Sequence, residues 1–171
     1  MPRIHVCSLD RVPEAVARLG ASRLVTLLRE PPVPTPESLA PDHHLRLAMN
    51  DIAAPQHGMV HPGAEHIEEL LTFVRAWDQR APMVIHCWAG ISRSTAACFI
   101  TLCALNPARA EVEFAREIRS LSPPATPNAL MIRLADDLLQ RRGRMRAAID
   151  SIGRGEEAAV GTPFSIPATT D

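Results

Sequence analysis

Apolar positions recur along this chain with two periods. Between residues 62 and 80, Ile67, Leu70, Leu71, Val74 and Trp77 fall at i, i+3, i+4, i+7 and i+10, one stripe of an amphipathic helix. Its glutamates (Glu65, Glu68, Glu69) come early and its arginines (Arg75, Arg80) late, which suits the helix dipole. Residues 3–8, 22–28 and 45–49 are short β-prone runs, and 83–87 is a fourth that follows the helix breaker Pro82. Between the first two runs, Val12, Ala15, Val16 and Leu19 share a helical face. Asp10 is the expected cap, Pro13 lies in the first turn and Gly20 is the stop.

Residues 95–105 are almost wholly apolar, as in a helix buried on every side. Asn106-Pro107 is expected to open the next helix, which runs to about residue 121 with Phe114, Ile118 and Leu121 inward. Thr126-Pro127 is expected to cap a last helix through Leu130, Leu134 and Leu138. The proline run at 31–36 cannot be regular structure, and 50–62 is an irregular loop. From Gly143 the pattern decays. Residues 145–152 add a helical turn, and the remainder to Asp171 is expected to be loosely held. Strands alternating with helices imply an α/β fold: a single domain with a small, mostly parallel central sheet flanked by helices. That domain is expected to span residues 1–142, with 143–171 as a partly helical, then flexible, extension.

Composition changes this picture little. The 171 residues suit one domain, and a net charge of -1 supplies no field to recruit nucleic acid or an anionic membrane. Lysine is absent while Ala, Arg and Pro abound, so a GC-rich, bacterial genome is the expected source. No apolar run is long enough to span a bilayer and the N-terminus lacks a signal-peptide core, so a cytoplasmic location is expected. Arg141, Arg142, Arg144 and Arg146 form a basic cluster, read as a solvated helix end or, alternatively, a partner or lipid patch.

Candidate chemistry concentrates where the fourth strand ends. His86-Cys87-Trp88-Ala89-Gly90-Ile91-Ser92-Arg93-Ser94-Thr95 joins a buried strand to a buried helix. Only a thiolate is nucleophilic, and a helix N-terminus with a nearby guanidinium favours that form of Cys87. Five residues, Trp88 to Ser92, suffice to curl backbone N–H groups around an anion, and Gly90 permits positive φ in the curl. Arg93 offers a planar fork for two phosphoryl oxygens, and Ser94 a hydroxyl for the departing sulfur.

Cys7, Cys98 and Cys103 have neither zinc-site nor disulfide spacing. The last two are expected core residues, and Cys7 an inert thiol or a redox partner of Cys87. His43, His44, His57, His61 and His66 invite a metal reading, but Gly58 and Pro62 break the helix that would align His57 with His61. They are expected to face solvent or pack loops, with no metal site.

The string from His86 to Thr95 resembles the signature of the cysteine-dependent protein tyrosine phosphatase superfamily, nearest its compact dual-specificity-like members. That resemblance implies a phosphate monoester hydrolase needing no cofactor. Cys87 would attack phosphorus, while Arg93 and the 88–93 amides hold the phosphoryl group. Asp51, 36 positions before Cys87 in the loop after the third strand, would be the general acid, although the Trp-Pro-Asp of tyrosine-specific members is missing. His86 would orient the loop from behind. Asn128, in Thr-Pro-Asn, matches a residue near the phosphate loop of dual-specificity-like members, and helix capping explains it equally well.

The implied partner is a phosphorylated protein or peptide, carrying phosphotyrosine and conceivably phosphoserine or phosphothreonine. The alternative is a phosphoinositide or another small phosphate monoester, of which a polyphosphorylated headgroup is disfavoured because the loop holds no lysine. Two other classes stay open: a silent phosphate-binding module, and a rhodanese-like sulfurtransferase, which would need neither Asp51 nor the Ser-Arg-Ser-Thr helix start.

Overall fold

The computed structural model describes residues 1–169. A five-stranded sheet is built from β1 (Arg3–Cys7), β2 (Arg23–Leu27), β3 (His44–Leu47), β4 (Met83–His86) and β5 (Phe164–Pro167) in the order β3-β2-β4-β1-β5. The first four pair in parallel, and β5 runs antiparallel along β1, with Ile4 opposite Ile166. The central strand is therefore β4, whose carboxyl end carries His86 and Cys87.

Alternation along the strands sends side chains to two unequal layers. Ile4, Val6, Val25, Leu27, Leu47, Met83 and Ile85 join the main core, against α2 (Ala64–Arg75), α3 (Arg93–Leu105), α4 (Glu111–Leu121), α5 (Ala129–Leu138) and α6 (Arg144–Ile152). Leu24, Val84 and Cys7 face the smaller layer beneath α1 (Val12–Leu19), with Val12, Ala15 and Val16. The parallel strands are thus covered on both faces, as their near-continuous hydrophobicity requires. Helix α3 is buried on every side from Arg93 to Cys103, which explains its lack of a polar stripe.

Several boundaries differ from the sequence reading, each for a local reason. Asp10 does not cap α1. It accepts a hydrogen bond from the Ser8 hydroxyl, and Arg11 occupies the cap position. Helix α2 stops at Arg75, and Trp77 stays buried beyond it with its indole N–H donated to Ala81 O at 3.0 Å. Asn106 ends α3 instead of opening α4, its side-chain amide donating to Leu102 O and Ala168 O, both at 2.8 Å. Asn128, not Thr126, caps α5, accepting from Met131 N at 3.0 Å.

The largest difference lies beyond Gly143. Residues 144–152 form α6, whose first turn is capped from α5: the buried Asp136 carboxylate accepts from the backbone of Gly143 (2.7 Å) and Met145 (2.8 Å). The chain then crosses the carboxyl edge of the sheet and ends in β5. The segment expected to be flexible thus supplies a strand of the central sheet. The basic cluster is not a uniformly solvated patch either. Arg141 is buried, bonded to Glu111 at 3.0 Å and Cys103 O at 2.7 Å, and Arg144 meets the same carboxylate at 3.1 Å. No helix among the described residues is long and apolar enough to cross a membrane.

Candidate active site

The loop between β4 and α3 is held from outside by its carbonyl oxygens. Cys87 O accepts from His86 Nδ1 (3.0 Å), Trp88 O from Leu9 N (3.1 Å) and Ala89 O from Gly161 N (2.8 Å). Ile91 O accepts from Thr126 N (2.9 Å) and the Thr95 hydroxyl, and Ser92 O from Asn128 N (3.2 Å) and Ala96 N (3.0 Å). In a trans peptide the C=O and N–H point in opposite directions. Five carbonyls turned outward therefore turn the amides of Trp88, Ala89, Gly90, Ser92 and Arg93 inward, which makes a nest for an anion at the start of α3.

Two glycines allow this packing. Gly90 has φ +73°, and a Cβ there would lie 2.9 Å from Cys7 C, so the loop sits directly on the exit of β1. At Gly161 a Cβ would lie 2.4 Å from Gly90 O, so the crossing segment sits on the loop from the other side. Sequence patterning gave no hint of that second support.

Inside the loop, the buried Cys87 sulfur lies 3.2 Å from the buried Ser94 hydroxyl, which donates to it once the thiol has lost its proton. The three other cysteines differ in character. Burial pushes the Cys7 thiol up to about 12, with the charges of Asp10 and Cys87 acting in the same direction. Burial likewise raises Cys98, and raises Cys103 to about 12. All three stay protonated at neutral pH.

Arg93 is 92 % buried by the complement of its 8 % exposure, and its Nη1 donates to Met49 O at 2.9 Å. Its Nε is buried without a hydrogen-bond partner. An orphaned guanidinium donor in a pocket of inward amides is satisfied by an oxyanion.

Asp51 reaches the same place from the loop after β3. Its Oδ1 accepts from the Ser92 hydroxyl at 2.7 Å and from Asn128 Nδ2 at 2.9 Å. With Oδ1 occupied by two donors, an acidic proton belongs on Oδ2. Asn128 also donates to Ile52 O at 3.2 Å, so its side chain both caps α5 and fastens the Asp51 loop. Asn50 closes the base of that loop, exchanging bonds with Val60 at 2.7 and 2.9 Å.

The structure thus brings Cys87, Ser94, Arg93, Asp51 and Asn128 around one loop, with His86 behind it. Trp88 is 59 % exposed at the rim. A cleft of about 290 Å³ beside it is lined by Asp51, Arg93, Asn50, Arg29 and Glu30, among others. Arg29 escaped the sequence reading because it lies in the loop after β2, remote from the motif. It donates to Gly58 O at 2.9 Å. A wider groove of about 700 Å³ opens on the other side of Asp51 and Ser92, walled by residues 154–159.

Among the expected solvent-facing or loop-packing histidines, His44 is an exception. It is buried, with Nε2 2.8 Å from the Thr26 hydroxyl. His66 accepts from Gly63 N at 3.0 Å, and His61 donates to Pro62 O at 2.8 Å.

Comparison with known proteins agrees with this fold. A family model described as protein-tyrosine phosphatase matches residues 51–121. No curated protein sequence matches significantly. Among solved structures, human DUSP28 is 22% identical with a TM-score of 0.64, covering 81% of this chain and 94% of its own. Cydia pomonella PTP-2 phosphatase is 17% identical with a TM-score of 0.62, over 78% of this chain and 84% of its own. A mouse putative dual specificity phosphatase, complexed with zinc tungstate, is 22% identical with a TM-score of 0.57, over 80% of each. The chain thus shares the fold of these solved phosphatases, and its residues 51–121, which include the His-Cys signature, match the protein-tyrosine phosphatase family model.

Proposed function

We propose that the protein is a phosphoprotein phosphatase that hydrolyses phosphotyrosine, and phosphoserine or phosphothreonine where they reach the loop, through a phosphocysteine intermediate. The observation that carries this reading is the Asp51 carboxylate, tied by Ser92 and Asn128 to the loop that holds Cys87. A silent binding module needs no such carboxylate, and a sulfurtransferase has no leaving oxygen to protonate.

In the first step, Cys87 Sγ forms a bond to phosphorus as the ester P–O bond breaks, and Asp51 gives its proton to the leaving oxygen. In the second, Asp51 takes a proton from water as the water oxygen attacks phosphorus. The S–P bond breaks, the Ser94 hydroxyl stabilises the departing thiolate, and inorganic phosphate leaves. Arg93 and the inward amides hold the phosphoryl oxygens through both steps, and that electrostatic positioning is the main catalytic effect. The exposed Trp88 offers its ring face to a phosphotyrosine ring at the pocket mouth.

A second reading rests on Arg29. It adds a cation to the cleft beside Arg93, which suits a substrate with another anionic group, such as a phosphoinositide, but Glu30 lines the same cleft and opposes that charge.

The deciding experiment is metal-free hydrolysis of an aryl phosphate by the wild type and by Cys87→Ser. Turnover that resists chelator, is blocked by vanadate and falls at least about 10⁴-fold in the mutant supports the mechanism. Activity surviving Cys87→Ser removes the nucleophile. Phosphopeptides and phosphoinositides compared on the same enzyme then separate the two substrate readings.

A further inference from the structure

A row of hydrogen bonds runs behind the phosphate loop across three strands. Thr26 on β2 lies opposite His86 on β4 and opposite Arg46 on β3, with His44 two residues before Arg46. Their side chains connect: His86 Nε2 is 2.7 Å from the Thr26 hydroxyl, which is 2.8 Å from His44 Nε2. His44 Nδ1 is 3.0 Å from the Thr35 hydroxyl, which accepts from Arg46 Nη2 at 2.8 Å. Thr26, His44 and His86 are all buried.

The directions of these bonds are forced. Cys87 O only accepts, so His86 carries its proton on Nδ1. Burial holds His86 at about 4 against the opposing pull of the Cys87 carbonyl, and the Arg93 charge lowers it further, so the ring is neutral and its Nε2 accepts. The single proton of Thr26 is then committed to His86, and the His44–Thr26 bond is donated by His44 Nε2. Burial, with the charges of Arg46 and His86, holds His44 at about 4 as well. Its Nδ1 therefore accepts from Thr35. Every dipole in the row points the same way, toward the Cys87–Trp88 peptide.

We propose that Thr26 and His44 are positioning residues for catalysis, donating in line to His86 Nε2 and thereby polarising the Cys87–Trp88 peptide toward the bound phosphoryl group. This rests on the phosphatase reading above. Hydrogen bonds in such a chain strengthen one another. A carbonyl that accepts a strong bond makes the N–H of its own peptide a better donor, and that N–H belongs to Trp88, one of the inward amides. The outer end explains the proline run at 31–36. Arg46 Nε donates to Val33 O at 3.0 Å, which pins the extended segment so that Thr35 meets His44.

The test is Thr26→Val, which removes the hydroxyl at constant shape, with Thr26→Ser as the rescue. Nitrogen-15 NMR of His86 should show the Nδ1-protonated ring in wild type, with the Nε2 resonance displaced in Thr26→Val, where its donor is gone. The pH profile of Cys87 alkylation by iodoacetamide should move upward by roughly half a unit to one unit. Turnover of an aryl phosphate should fall roughly five- to twentyfold, less than the loss of a whole oxyanion donor, and Thr26→Ser should restore all three. Thr35→Val, in a surface loop, should shift the alkylation profile in the same direction by less, and serves if Thr26→Val does not fold. Wild-type ring signals and alkylation profiles in the valine variants would overturn the proposal, as would a loss that serine does not repair. A wild type inactive on aryl phosphates would defeat the phosphatase reading alone, since the ring and alkylation measurements decide the row independently.

Discussion

Asp51 illustrates how little freedom the side chains of the proposed reaction retain. Its Oδ1 is bonded to Ser92 and Asn128, so the carboxyl is oriented before substrate arrives. Asp51→Ala is expected to slow alkyl phosphates at least about 10²-fold while sparing activated aryl phosphates, whose leaving groups need no proton. A Brønsted plot of rate against leaving-group pKa checks this. Arg93→Lys is expected to lose about 10²-fold or more in kcat/KM, because a point charge cannot present Nη1 to Met49 O and Nε to the anion together. Steady-state kinetics with one aryl phosphate suffice.

Cys87, Ser94 and Arg93 were legible because one contiguous motif carries them, and Asp51 because its distance from that motif matches the position of an acid in the resembled family. His44 and Thr26 were not. Both belong to ordinary strands, and only the pairing of β2 with β3 and β4 places them in line with His86.

At the scale of elements, a helix face reads clearly from sequence and a helix end does not. The stripe of α2 and the wholly apolar α3 follow the residue pattern. Asn106-Pro107 looks like a helix start but ends α3, because the Asn106 side chain has a better use in tying the α3 carbonyl end to Ala168. The same limit hid the role of the arginine cluster, since Glu111 and Arg141 are 30 residues apart and meet only when α4 packs on α6. Burial alone would raise the Glu111 carboxyl, but its own backbone N–H and the Arg144 and Arg141 guanidinium groups outweigh that and hold it below the usual carboxylate range.

Glu111→Ala strands a buried guanidinium and is expected to cost about 3–5 kcal/mol. A carboxyl lowered in the folded state stabilises the fold above its unfolded value, roughly 4.3, and that contribution fades as pH falls through the lower folded value. The stability gap between wild type and Glu111→Ala should therefore narrow below about pH 4, as urea melts across that range would show.

For the molecule as a whole, the sheet order places the nucleophile loop at the centre of one edge, with supports arriving from β1, from the turn before α5 and from the crossing segment after α6. Gly161→Ala is expected to push on Gly90 O, lowering stability by about 1–3 kcal/mol and turnover by more than that loss explains. Thermal melts and kinetics on the same sample separate the two effects.

The position of that last support has a bearing on biosynthesis. Synthesis proceeds from the N-terminus, so Cys87, Arg93 and Asp51 leave the ribosome well before Gly161 bonds to Ala89 and Phe164 pairs with Val6. A nascent chain halted at Ile152 would hold every residue proposed for the reaction and still lack the brace on its loop. On the proposed reading the phosphatase would therefore be silent toward its neighbours until translation has carried β5 into place beside β1.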